Sequence, residues 1–295
     1  MRKTLIAVLA AACLALPALA QDGIFSDKDF QANGRLKLGE KTVYLPVTQV
    51  KWMTRGKFTA RGGAFRRASV TKEVVAEVDQ ARVQKIAQVL HDDLVAQFEA
   101  AGWNVQTRQE LGADVPAYKA ASSDGDRGYP VEKINNGVLD ADYALIAPPG
   151  MPTLEATGMA LAGITLTTNR YVREKPGVNL MVNYGFATAE LGETKSRQLG
   201  ATASPSLVFT GDFWANTANS QAMVMVRDGV KVADDIGTLE QASRTGMGTK
   251  IIRGLAGMSS IDKTAYTLVP DWDKLEIEAI RGGRAFNAQI VARMK

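Results

Sequence analysis

The segment Asp79–Ala101 carries the clearest helical pattern of the chain. Its apolar residues recur at spacings of three and four, which places them on one helix face: Val83, Ile86, Ala87, Leu90, Leu94 and Phe98. Asp79 suits an N-cap, and Gly102 follows where a left-handed C-cap is expected. Because an amphipathic helix must bury its apolar face and most other segments read as strands, the sequence predicts an α+β fold.

Strand patterns lie on both sides of this helix. β-Branched and aromatic residues predict a long strand at Thr42–Thr54, where Pro46 indicates an edge position or a bulge. Loose or strict alternation of apolar residues predicts further strands within 69–78, 103–110, 142–147, 177–191 and 205–217.

Turn and capping signals organise the C-terminal part of the chain. Hairpins are expected at 222–232 and at 274–294, the latter turning at Gly282-Gly283. Thr238 with Gln241 forms a capping box that predicts a second helix near 238–257. The order of elements therefore favours a mainly antiparallel sheet with one long amphipathic helix at 79–101, and not an alternating doubly wound fold.

The N-terminus has the pattern of a secretory signal peptide. A cationic start is followed by the apolar run Leu5–Ala20, which ends in the small residues Ala18 and Ala20. We expect a signal peptide at 1–20, cleavage near Ala20-Gln21 and a periplasmic or secreted protein. A flexible leader is expected at 21–40 and a single α+β domain at 41–295, with a subdivision near 150 as an alternative. No later apolar run reaches the ~18 residues of a transmembrane helix, so none is expected in the mature chain.

The inventory of reactive side chains is small. Cys13 is the only cysteine and lies in the predicted signal peptide, so a mature disulfide, thiolate metal site or cysteine nucleophile is excluded. His91 is the only histidine, which excludes zinc sites built from several histidines. On the helical wheel it flanks the apolar stripe, which favours a surface histidine over a catalytic base. No catalytic residue, metal ligand or cofactor is predicted, and binding is favoured over catalysis.

Positive charge is concentrated in one segment of a chain whose net charge is small. Lys41–Lys72 contains eight basic residues and no acid. The candidate binding residues are Lys51, Arg55, Lys57, Arg61, Arg66 and Arg67, with the aromatic residues Trp52 and Phe58. They predict a surface for an anionic envelope component or a protein partner, with a solvated strand face as the alternative. Export argues against nucleic acid as the partner.

Paired acids keep one enzymatic hypothesis open. Glycan hydrolysis requires two carboxyl groups ~5–9 Å apart across a cleft. The candidate pairs are Asp92-Asp93, Asp124/Asp126, Asp234-Asp235 and Asp271/Asp273. Acid pairs in loops are more often simply solvated, so a carboxylate-based envelope glycan hydrolase is an alternative rather than the main prediction.

The central part of the chain resembles a known family. A helix with apolar residues four apart, Ile86-x3-Leu90-x3-Leu94-x3-Phe98, leads into the strand pattern Trp103–Arg108, and Ala141–Ile146 follows later. In this order the stretch 78–147, about a quarter of the chain, resembles the periplasmic α/β core of the curli-secretion lipoprotein family. The sequence as a whole is also similar to uncharacterised secreted proteins of proteobacteria.

The resemblance implies a second alternative, an oligomeric outer-membrane pore or secretion accessory. In that family a lipidated N-terminal cysteine anchors the protein, and amphipathic hairpins from several subunits form the pore. This chain has no cysteine at its predicted mature N-terminus. Its segments 177–191 and 205–217 are near the ~10 residues of a membrane strand, but half-buried core strands have the same alternation.

Overall fold

A computed structural model of the chain describes residues 23–61, 69–111, 128–135, 139–154, 176–193, 201–245 and 261–294. Of these residues, 53% lie in strands and 24% in helices. The helices are a 3-10 turn at Asp27–Asp29, α1 (Gln80–Ala100), α2 (Arg108–Leu111) and α3 (Trp272–Arg293). The predicted signal peptide, Arg66, Arg67 and the acid pair Asp124/Asp126 lie outside the described residues.

Fifteen strands are described. They are β1 (Phe30–Gly34), β2 (Thr42–Arg61), β3 (Ser69–Ala76), β4 (Asn104–Thr107), β5 (Val131–Asn135), β6 (Leu139–Ile146), β7 (Val178–Ala187), β8 (Glu190–Glu193), β9 (Ala201–Ser204), β10 (Ser206–Phe209), β11 (Asp212–Asn216), β12 (Gln221–Val226), β13 (Val230–Asp234), β14 (Gly237–Thr245) and β15 (Ile261–Pro270).

Thirteen of these strands form one mixed sheet, whose main path runs β1-β12-β11-β7-β2-β3-β15-β14. The predicted mainly antiparallel sheet is therefore wrong. β2 pairs in parallel with β4 and β7, and β3 pairs in parallel with β15. Sequence reading missed these pairs because parallel partners are joined by long crossover connections rather than by tight turns. Pro46 marks the predicted bulge, since the register of β2 against β7 shifts between Tyr44 and Val47.

The second predicted helix is also wrong, because the segment that begins at Gly237 is strand β14. It pairs antiparallel with β15, so long-range pairing outweighs the local capping signal of Thr238 and Gln241. Residues 246–257 of that prediction lie outside the described part of the chain. At 222–232 the turn is present, with positive φ at Asp228 and Gly229. The flanking strands do not form the expected hairpin, since β12 pairs with β1 and β11 whereas β13 pairs with β10.

The predicted C-terminal hairpin is instead the helix α3. Its buried residues Leu275, Ala279, Phe286 and Ile290 follow a helical period, and the glycine pair lies in the middle of the helix. A Cβ atom on Gly283 would come within 2.4 Å of the Leu90 side chain on α1. The pair Gly282-Gly283 therefore permits close packing of α3, and it is not a turn.

Both long helices pack on the sheet and enclose the core. Helix α1 confirms the prediction for 79–101, since the Asp79 side chain accepts a hydrogen bond from the Arg82 amide at 3.1 Å and Gly102 has φ 78°. Strand β7 is buried along its whole length, so 178–187 forms core strand rather than a projecting hairpin. Phe30–Gly34, predicted within the leader, forms strand β1. Among the described residues, neither long helix has a stretch apolar enough to cross a bilayer.

Candidate functional site

The cationic candidate residues lie along β2, where neighbouring strands supply acids that the segment itself lacks. Lys51 forms a 2.9 Å ion pair with Glu132 of β5, and both side chains are largely buried. Lys57 lies 3.9 Å from Asp140 of β6. The acids come from other parts of the chain, so the acid-free run in the sequence does not produce an equally cationic surface.

Arg55 is the centre of this ion-pair cluster. It contacts Glu73 of β3 at 2.8 Å, and Asp140 and Asp142 of β6 at 3.1 Å and 3.7 Å. Hydrogen bonds to Asp140 and Glu73 raise the pKa of Arg55 above its ordinary value. Burial raises the pKa of Glu73, but the hydrogen bond and charge of Arg55 outweigh it and lower that pKa overall. The guanidinium therefore joins β2, β3 and β6.

Replacement of Arg55 by glutamine is expected to lower the free energy of unfolding by about 1–3 kcal/mol, because it leaves partly buried carboxylates without their charged donor. The matched control is Arg82→Gln, whose nearest acidic partner, Asp273, has an 86% exposed side chain. The control is expected to change the free energy of unfolding much less, because an exposed ion pair is screened by solvent. Urea denaturation of both variants measures the difference. Equal losses would contradict the structural role of Arg55.

The aromatic candidates and the remaining arginines are placed differently from one another. Trp52 is 1% exposed and stacks on Trp272 of α3, with ring centroids 5.7 Å apart. Phe58 is half-buried, and Arg61 is exposed at the end of β2. Of the candidate residues, Lys51, Arg55 and Lys57 therefore lie beside acids, whereas Trp52 lies in the core and Arg61 is exposed.

His91 lies in a buried position, and its interpretation as a surface histidine is wrong. It is 5% exposed, and its Nδ1 lies 3.0 Å from the hydroxyl oxygen of Thr48 on β2. Burial lowers the pKa of His91, and the nearby Asp92 only partly opposes this effect. The helical wheel places His91 at the flank of the stripe, but only the tertiary packing shows that β2 covers this flank.

A cleft of about 270 Å³ opens beside His91. Helix α1 forms one wall, and the end of β4 and the segment 148–151 form the others. Its lining residues are Gln88, His91, Asp92, Val95, Ala96, Glu99, Thr107, Pro148, Pro149 and Met151. Sequence reasoning missed this cleft because its walls come from three separate parts of the chain.

The free energy of unfolding is expected to fall on acidification because of His91. Its pKa in the folded state is below the ordinary value of about 6.5, so between these two values the unfolded chain binds a proton that the folded chain does not. Stability is therefore lost as the pH falls from about 6.5 toward the folded-state pKa. Denaturation of the wild type and His91→Gln at a series of pH values measures this. A stability difference between them that stays constant with pH would contradict it.

One member of each remaining acid pair makes a structural contact in the described residues. Asp271 accepts a hydrogen bond from the Lys274 amide as the N-cap of α3. Asp234 pairs with Lys231 at 3.1 Å. Asp93 accepts from the Asn287 side chain at 2.8 Å, whereas Asp92 lines the cleft. No group of three or more metal-ligating side chains occurs in the ranges that the structure describes.

The two end strands of the sheet's main path, β1 and β14, are each paired on one side only among the described strands. β1 pairs only with β12, and β14 only with β15, among the described strands. Their side chains are mostly exposed. A register shift between Gln241 and Ser243 divides β14 into two regular parts, and the first, Gly237–Gln241, has the same five-residue length as β1. Two exposed valines lie toward this end of the sheet, Val269 on β15 opposite Thr238 of β14 and Val75 on β3, one strand further from the edge.

No protein-family model matches the chain, and comparisons with curated proteins and with solved structures give no match either.

Proposed function

We propose that this chain is an exported cell-envelope protein that acts by binding and assembly, and that its copies join through the ends of the sheet. The proposed location, periplasmic or secreted, rests on the signal-peptide pattern at 1–20. The observation that carries the assembly proposal is the pair of edges, β1 and β14. A strand at a sheet edge presents unpaired N–H and C=O groups, which are a template for pairing with another chain.

The two edges favour a head-to-tail arrangement. They belong to opposite ends of one path, so β14 of one copy meets β1 of the next without using the same surface twice. The exposed Val269, which pairs with Thr238 of β14, adds apolar area near such a contact. Head-to-tail contacts form a ring when the rotation between copies closes and a filament when it does not.

The same geometry favours a second candidate function, an oligomeric outer-membrane pore or secretion accessory. A closed ring of copies is the assembly that such a function requires. The segments 177–191 and 205–217 are not offered as its pore-forming parts, since β7 is a core strand and β10 and β11 both pair with it.

An anionic envelope partner remains part of the proposal, but with a smaller set of residues. Lys51 and Arg55 are engaged with acids, so a ligand would have to displace their partners. Arg61, Arg66 and Arg67 are the remaining candidates. The triple glutamine variant of these residues is expected to weaken salt-sensitive binding to vesicles containing anionic lipid. Unchanged binding would count against this part.

Proline substitution at β14 tests the assembly. The N–H groups of neighbouring residues on a strand point to opposite sides. Of the two variants Glu240→Pro and Gln241→Pro, one therefore removes an N–H that points outward from the sheet edge. The other removes an N–H that faces β15. The outward variant is expected to keep its thermal stability but to shift the exported protein from oligomer to monomer in light scattering. A proline in α3 would break that helix, so the control is a different substitution, Ala292→Lys. Position 292 is exposed on α3. A wild type that is monomeric with and without detergent would overturn the proposal.

A further inference from the structure

The cleft beside α1 has a chemistry that the proposed assembly does not use. We propose that it binds a small aliphatic amine, and that a short diamine is its best ligand. Asp92 and Glu99 give the cleft two carboxylates, and none of its described lining residues is lysine or arginine. A carboxylate pair beside apolar walls selects a ligand that carries positive charge on a hydrocarbon chain.

The other polar groups of the cleft are also suited to accept hydrogen bonds. The Gln88 amide nitrogen donates to Asp92 at 2.7 Å, which leaves its oxygen as an acceptor. The Thr48 hydroxyl lies 3.3 Å from the Met151 sulfur and 3.0 Å from Nδ1 of His91; when its hydrogen is donated to the sulfur, its oxygen accepts from Nδ1–H of His91. In this tautomer Nε2 of the neutral imidazole is an acceptor, and it has no hydrogen-bond partner among the described residues. His91 is 95% buried and lines the cleft, so a bound amine that donates to Nε2 would favour this tautomer.

The spacing of the two carboxylates favours a diamine. Residues seven apart on a helix lie on nearly the same face and are separated by roughly 10 Å along the axis. Asp92 and Glu99 have this spacing on α1. A short diamine can place one ammonium near each carboxylate, while Val95 and Ala96 between them contact its methylene groups.

The single histidine makes this proposal directly measurable. Since His91 is the only histidine, a tag-free protein has one set of imidazole resonances, and no assignment is needed. Titration with 1,4-diaminobutane is expected to shift these resonances in a saturable way, and butylammonium to do so at higher concentration. The neutral and anionic analogues, butanol and butyrate, are expected to leave the resonances unchanged at the same concentrations.

Two charge-removing variants locate the site. Asp92→Asn and Glu99→Gln, both at exposed positions of α1, are each expected to weaken diamine binding at least tenfold while leaving the thermal unfolding curve in place. The matched control is Asp228→Asn in the β12–β13 turn, which removes the same charge far along the chain and is expected to bind as the wild type does. The proposal is overturned if diamines cause no saturable shift, if butanol acts equally, or if both cleft variants retain wild-type affinity. None of these outcomes depends on oligomeric state, so they leave the assembly proposal separately testable.

Discussion

Replacement of Phe286 by alanine is expected to lower the free energy of unfolding by about 3–5 kcal/mol, which is the usual cost of removing a buried phenylalanine ring. Phe286 is fully buried on α3. Its ring lies 4.9 Å from that of Phe209 and 6.1–6.3 Å from those of Tyr184 and Phe213. The same ring lies 6.2 Å from Phe30 of the edge strand β1, so it joins the C-terminal helix to several strands of the sheet.

The matched control for Phe286 is Ile277→Ala on the same helix. Ile277 is 65% exposed, so its truncation is expected to change stability by less than about 1 kcal/mol. If Phe286→Ala does not fold, Phe286→Leu retains most of the volume, and its smaller loss is measured by urea denaturation instead. A terminal hairpin would not distinguish the two positions in this way, so equal and small losses would contradict the placement of α3.

Replacement of Trp52 by alanine is expected to cost a similar 3–5 kcal/mol, because this side chain fills the core between α3 and the sheet. Its ring lies 5.7 Å from both Trp272 and Phe186. A surface ligand-binding tryptophan would behave differently, since its loss would weaken binding and leave stability unchanged. Thermal or urea unfolding of Trp52→Ala therefore separates the two roles.

Phe58 provides the control for Trp52 on the same strand. It is half-buried, so Phe58→Ala is expected to cost about 1 kcal/mol. Equal losses at the two positions, or no loss at Trp52, would contradict the assignment of Trp52 to the core.

The parts of the fold that follow local rules are predictable from the sequence. Helix α1 is one, because its apolar period, its Asp79 cap and its Gly102 stop are all contained in the segment. Strand β2 is another, although its actual length of 20 residues exceeds the predicted one. In both cases the side chains that determine the element are its own.

The sequence-based predictions fail where residues distant in the sequence determine the local structure. The pair Gly282-Gly283 reads as a turn in isolation, and only Leu90 and Val232, which pack against it, explain why it lies inside a helix. Likewise β14 is a strand because β15 pairs with it.

The same cause limited the prediction of candidate sites. The charges of Lys51 and Arg55 are compensated by acids on β3, β5 and β6, which are remote in sequence. The position of His91 in a cleft depends on Thr48 and on Met151. No local signal in 79–101 indicates either contact.

Disulfide trapping between sheet edges tests the assembly most directly. Cys13 is the only native cysteine and lies in the predicted signal peptide, so introduced cysteines are the only thiols of the cleaved protein. Three double variants are made, and each carries Gln31→Cys on β1. The second substitution, on β14, is Thr238→Cys, Glu240→Cys or Gln241→Cys, so that the three variants cover neighbouring registers. All four positions are exposed.

Head-to-tail pairing predicts that mild oxidation of at least one double variant gives a ladder of covalent oligomers on a non-reducing gel. Each single-cysteine variant should give no ladder. A monomer band alone in all three double variants, or a dimer formed by a β14 cysteine without its β1 counterpart, would contradict assembly through β1 and β14.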